Sequence, residues 1–236
     1  MNKEQLKRNI TLGILFLLPV FFVLVMSLSK ENFETLDIVN SNVEEISSIN
    51  KLDTKLEGHL TVLGFFGKSP KDKSVEALNL KEVIYDKFKG FKKFQVVILV
   101  SKGTEKETDK LFKEIASYED LRFWHFVHLD DSDILNTFHS LKSDFKLKDD
   151  LSTNNVFIVD SDLNQRGRLD DREDREKVKG LPIRELDYYS CTEIAELKNK
   201  LAAEDLRILF TEYRQKRKGK FNTDTRRAND LKEKEN

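Results

Sequence analysis

Four short apolar runs constrain the fold of this chain more than any other feature. They are "HLTVLGFF" from His59, "FQVVILV" from Phe94, "RFWHFVHL" from Arg122 and "NVFIVD" from Asn155. Each is rich in β-branched and aromatic residues and has the length of a strand buried in a sheet. Between them, Val75, Leu78, Val83, Ile84 and Phe88 fall largely on one face of a helix, and Leu111, Phe112 and Ile115 do so in the next segment. This alternation predicts an α/β fold, a sheet flanked by helices. The turn signal "DSDLNQ", Asp160 to Gln165, joins "NVFIVD" to "RGRLDD" as a late hairpin. A long helix is expected over 192–217 from the spacing of Ile194, Leu197, Leu201, Ile208 and Leu209, with Ser190 or Thr192 as its cap and Glu193 in its first turn.

Upstream, "ITLGILFLLPVFFVLVMSL", Ile10 to Leu28, carries no charge and has the length of a bilayer-crossing helix. Pro19 is tolerated in such a helix. Lys3, Lys7 and Arg8 precede it, whereas Lys30 behind it is offset by Glu31, so the bias keeps residues 1–9 in the cytoplasm and sends the body outside. In a bacterium the body would lie on the periplasmic side of the inner membrane. A cleaved signal peptide ending at Ser27 or Ser29 is the alternative reading. Residues 29–55, rich in Ser, Asn and Glu, read as a juxtamembrane spacer with an edge strand near Leu36 to Val39. The folded domain is expected over 56–217 and a charged, disordered tail over 218–236.

Charge and reactive residues exclude several functions. The chain has 41 basic and 42 acidic side chains, so nothing drives it toward nucleic acid. The basic end "RQKRKGK", Arg214 to Lys220, suits a helix C-terminus. Cys191 is the only cysteine, which precludes an internal disulfide. His125 and His128 stand three apart on a strand and so face opposite ways, and His59 and His139 are remote in sequence. The sets Asp130, Asp131, Asp133 and Asp170, Asp171, Glu173, Asp174 lack the pattern of a Ca²⁺ loop, and "RGRLDDREDREKVKG" reads as a solvated loop. There is no phosphate loop, nucleophile elbow or zinc helix. No cofactor or catalytic residue is expected, and the chain is not expected to be an enzyme.

"LEGHLTVLGFFGKSP" entering a helix, with "VFIVDSDLNQRG" as a late hairpin behind one N-terminal membrane helix, resembles the Sco/SenC copper chaperones of cytochrome oxidase assembly. The resemblance spans about residues 58–216 and implies a thioredoxin-like fold. That family carries a Cys, three residues and a second Cys in the loop after the first core strand, with a His before the hairpin. These positions fall at Ser69, Lys73 and, within a residue or two, Ser152. None of the three ligands is present. A Ser hydroxyl is a poor Cu(I) ligand and a Lys ammonium repels the ion. The resemblance therefore implies a degenerate site on an interaction or assembly factor, with oxidase assembly as its context. Lys68, Lys71 and Lys73 form a candidate patch for an acidic protein partner, while Phe65 and Phe66 are expected in the core. The alternative is an exposed, reactive Cys191 forming intermolecular disulfides.

Overall fold

The expected alternation is present in a computed structural model that describes residues 3–28, 35–46, 54–116 and 119–217. The expected tail at 218–236 lies outside the described residues. Helix α1, Lys3–Leu28, runs through Pro19, and its exposed apolar side chains include Leu15, Phe16, Leu17 and Phe21. Counted over the described residues, no helix is long and apolar enough to cross a membrane. A separate unit comprises Thr35–Lys220.

That unit is built on a mixed sheet. Its strands are β1 (Asp37–Asn40), β2 (Leu60–Gly67), β3 (Phe94–Ser101), β4 (Trp124–Leu129), β5 (Asn155–Val159), β6 (Gln165–Gly167) and β7 (Tyr189–Ser190). The order is β1-β6-β5-β2-β3-β4, with β7 also pairing β5. β2, β3 and β4 are parallel, whereas β5 is antiparallel to β2, β6 to β5 and β1 to β6. A parallel pair needs a crossover, and helix α2 (Ser74–Leu80) supplies the one from β2 to β3; it is entered through a 3₁₀ turn, Pro70–Lys73, and continues through a π-helical stretch, Lys81–Tyr85. Helix α3 (Glu105–Ala116) makes the next crossover, and α4 (Asp131–His139) follows β4.

Burial on both faces explains why the central strands read as continuous apolar runs. Val96, Ile98 and Val100 of β3 enter one core with Val62, Phe66, Leu80, Ile84 and Leu111. Val97 and Leu99 enter the other with Leu63, Phe65, Ile134, Phe138 and Phe157. Phe65 and Phe66 thus both fill core, one on each face. A strand–helix–strand unit, an antiparallel hairpin (β5, β6) and a closing helix, in the order β6-β5-β2-β3, make this a thioredoxin-like α/β fold.

Three expectations need correction. The edge strand expected near Leu36 to Val39 is present as β1, which pairs with β6, but the spacer 29–55 is not spacer throughout: Leu36, Val43 and Ile46 are buried, and the folded unit begins by Thr35 rather than residue 56. The last helix is not continuous α-helix. It has a short turn, Ile194–Glu196, and a π-helical stretch, Leu197–Asp205, before the α-helix Leu206–Arg217. Neither Ser190 nor Thr192 caps it, since their hydroxyls meet each other at 3.0 Å while the Glu196 carboxylate accepts the Ser190 N–H at 2.8 Å.

The third correction concerns "RGRLDDREDREKVKG", which is ordered by its arginines rather than left as a solvated loop. Helix α5 (Asp174–Val178) forms inside it, with Glu173 and Glu176 in a capping box. The final α-helix, Leu206–Arg217, is α6. Arg166, fully buried, ties three distant segments: it donates to Asp160 at 3.0 Å, to Glu212 at 2.7 Å and to the Leu36 carbonyl at 2.7 Å. Arg168 donates to Asp205 at 2.9 Å, and the Tyr189 hydroxyl donates to the same carboxylate at 2.6 Å. Burial pushes the Tyr189 phenol well above its ordinary range, and the adjoining Asp205 pushes it the same way.

Candidate functional site

The loop after β2 and the segment before β5 are held together by backbone. Gly67 turns with φ +57°, and a Cβ there would run into the Asp150 carbonyl, so only glycine allows the two to meet this closely. The Lys68 N–H donates to the Asp150 carbonyl at 2.8 Å, and Thr153 N–H donates to the Phe65 carbonyl at 3.0 Å. The fold therefore brings the loop of Ser69 and Lys73 beside the segment of Ser152.

What fills those positions is a buried polar cluster. Ser69 is half-buried, and its carbonyl accepts the Asp72 N–H at 3.1 Å in the turn that starts the 3₁₀ helix. Lys73 is only 6% exposed. Its Nζ donates to Asn154 Oδ1 at 2.5 Å and to Glu76 Oε1 at 3.3 Å, so the side chain reaches across from the loop to the start of β5. Ser152 is buried and its hydroxyl has no hydrogen-bond partner among the described residues. Its N–H is held by Asp150 Oδ1 at 3.0 Å.

The lysine patch must be redrawn accordingly. Lys73 points inward, because Glu76 one turn along the helix and Asn154 satisfy its ammonium away from water. Lys68 and Lys71 are exposed. Lys68 pairs with Asp131 at 2.8 Å, and Ser101 donates to the same carboxylate at 2.9 Å. The Lys68 hydrogen bond, with that of Ser101, holds the Asp131 carboxyl below its ordinary value.

Cys191 lies against this cluster, but not as a reactive thiol. Its N–H donates to the Asn154 carbonyl at 2.7 Å, and its own carbonyl accepts Asn79 Nδ2 at 2.9 Å. The residue is 1% exposed. Burial pushes the thiol far above the ordinary range, and the negative charge of Glu76 adds to that against the opposing pull of Lys73. A thiolate is the nucleophile, so the exposed, acidic thiol expected from a helix start is overturned: the helix begins at Ile194, beyond Cys191, and the sulfur sits in the core.

Several of the remaining candidates have partners within the protein. His128 Nε2 lies 2.9 Å from the Thr108 hydroxyl, while burial lowers His125, with the nearby His59 adding to the effect. His139 is exposed at the end of α4. Asp130 pairs with Lys102 at 2.5 Å, Asp170 with Arg172 at 2.8 Å and Asp171 with Lys200 at 3.0 Å. Asp133 stands in the first turn of α4, and Glu173 and Asp174 at the start of α5. Among the described residues no group of three His, Cys, Asp or Glu could hold a metal ion. At Ser69, Lys73 and Ser152 the side chains do not fit Cu(I): there is no soft donor, and an ammonium occupies one of the places.

Sequence reading missed Glu76 and Asn154. The three-residue step from Lys73 to Glu76 on a helix was a usable signal for that pair. Nothing local marked Asn154, whose partner is far along the chain.

Fold and site together define a thioredoxin-like domain that has one buried cysteine and cannot perform dithiol exchange at its own loop. No family model matches the chain, and no curated protein matches it. Among solved structures, it is similar to a Bacteroides thetaiotaomicron protein named as a candidate protein disulfide isomerase, at 11% identity over 77% of this chain and 98% of that one, TM-score 0.42. It is also similar to a thiol:disulfide interchange protein from a Bacteroides species, at 17% identity over 59% and 80%, TM-score 0.31. A yeast mitochondrial 1-Cys peroxiredoxin matches at 14% identity over 55% and 64%, TM-score 0.34. Likenesses this distant carry no assignment. The fold class rests on strand order and direction in the chain itself.

Proposed function

We propose that this protein is a membrane-anchored, outward-facing thioredoxin-like domain that acts through protein contacts as an interaction or assembly factor. The observation that carries the reading is the filled loop: where a thioredoxin-like protein would present its reactive pair, Lys73 closes onto Glu76 and Asn154. Support for the anchor comes from α1, whose apolar side chains from Leu12 to Val25 are exposed and have no use in water. The outward orientation follows from Lys3, Lys7 and Arg8 ahead of it. Exposed Lys71 offers positive charge to an acidic partner, beside Lys68, which is paired with Asp131. Respiratory-oxidase assembly comes only with the Sco/SenC resemblance and is the most specific form of the proposal.

A photocrosslinker placed at Lys71 in the full chain, activated in native membranes, tests the reading. The expected result is a discrete product containing oxidase subunits or copper-handling proteins. A product from an unrelated envelope complex would remove the oxidase context and keep the contact role. Products from other faces, with none from Lys71, would contradict a contact at the loop.

A further inference from the structure

The last helical residues before β3 and the turn that enters it read "KFKGFKKF", Lys87 to Phe94, with four lysines and no acid. Phe91 at its tip is 41% exposed, although it stacks on Phe210 of α6 at 4.1 Å, and Phe210 stacks in turn on Phe88 at 5.0 Å. Lys87 lies over the Phe88 ring at 5.7 Å and donates to the Ala202 carbonyl at 3.3 Å. Arg207 is one turn before Phe210 on the same helix, and Lys198 belongs to the π-helical stretch that leads into it. Lys87, Lys92, Lys93, Lys198 and Arg207 are all exposed.

Neighbouring acids do not neutralise this face. Asp86 is engaged by Lys81 and Lys89, Glu119 by the same two lysines, and Glu204 by Arg168 and Lys200. Among the described residues no carboxylate pairs with Lys87, Lys198 or Arg207. Burial lowers the Lys87 pKa, and repulsion from Arg207 and Lys198 lowers it further, with no acid pulling the other way.

We propose that this cationic face, centred on Lys87, Lys198 and Arg207 with Phe91 at its tip, docks on an anionic phospholipid surface. The proposal rests on the membrane-anchor reading and adds which side of the domain meets the bilayer. An exposed aromatic ring among lysines suits the headgroup zone, where the ring enters the interface and the cations meet phosphate. Distance favours lipid over an acidic protein. Only residues 29–34 lie between the end of α1 and the folded unit, and six residues reach at most about 20 Å however they are arranged. An anchored domain on so short a tether meets headgroups continuously, and clustered basic charge on it is then drawn to them.

The test uses the full chain with Phe91→Trp, incorporated into nanodiscs of brominated phosphatidylglycerol or brominated phosphatidylcholine. The native Trp124 is 3% exposed and serves as the unquenched background. The proposal expects quenching of the new tryptophan in the anionic discs only, suppressed by salt. It also expects the contact to weaken by roughly fivefold for each of Lys87→Gln, Lys198→Gln and Arg207→Gln. Equal emission in both lipids, from a chain that has incorporated, overturns the docking face and leaves the anchor standing. A salt-sensitive complex with an acidic protein but no lipid quenching overturns it as well. Failure to incorporate removes the anchor reading, and the same quenching measured on the chain with anionic vesicles then decides the face on its own: its presence supports the face and its absence overturns it.

Discussion

Arg166 and Lys73 are both buried cations, 1% and 6% exposed, but they hold different things. Arg166 joins the first strand, the hairpin turn and the last helix through Leu36, Asp160 and Glu212. Lys73 joins one helical turn to the start of one strand through Glu76 and Asn154. The first arrangement closes the fold across the two ends of the domain, since Leu36 and Glu212 are 130 and 46 residues from Arg166. The second fills a place where this kind of fold keeps its chemistry. A buried charge is therefore no sign of a working site by itself, and in this chain the more deeply buried one belongs to the scaffold.

Substitution should separate the two regions. Arg166→Ala leaves Asp160 and Glu212 buried without their cation and should cost about 3–5 kcal/mol in urea unfolding. A pairing of Arg166→Met with Glu212→Leu should recover much of that. Lys73→Met strands only the Glu76 carboxylate and one amide oxygen, so a smaller loss of about 1–3 kcal/mol is expected. If Lys73→Met proved the more damaging, the loop would be scaffold too, and the contrast would fail.

Cys191 gives a pH test of the filled loop. An ordinary thiol in the unfolded chain ionises near pH 9.0, whereas burial holds the folded thiol protonated to higher pH. Its contribution to stability is thus fully present below pH 9 and declines as pH rises above it. Cys191→Ala should remove that decline between pH 9 and pH 10, and native alkylation should proceed only as fast as the domain opens. Alkylation of the folded protein at the rate of a free thiol would show that the sulfur is accessible.

The smallest effect belongs to the surface. Lys68→Ala should change stability by no more than about 0.5 kcal/mol, because both members of the Lys68–Asp131 pair are half exposed. By NMR titration it should move the Asp131 carboxyl up toward its ordinary value. The pair's contribution is present above the ordinary Asp value of 3.8 and disappears as pH falls through the depressed folded value.

The parts of the molecule legible in the sequence were those governed by local period. The central strands, the crossover helices and the hairpin turn were visible because apolar spacing and turn residues fix them within a few positions. The burial of Lys73 was not, since its partner Asn154 is 81 residues away. Nor was the order of the charged stretch after β6. In "RGR", residues 166 and 168 share a side of the strand by the two-residue period, but their carboxylates come from Asp160, Asp205 and Glu212 in other segments. Charged text reads as solvated until the fold supplies its partners. Cys191 failed for a simpler reason: its helix starts at Ile194, two residues later than the spacing suggested, and the sulfur lies in the core.

The loop has no thiol, and the Lys73 ammonium is buried there. Titrating the full chain with Cu(I) against a chromogenic chelator measures this most directly. The protein should withhold no copper from the chelator, before or after reduction. One equivalent held with sub-nanomolar affinity would contradict it.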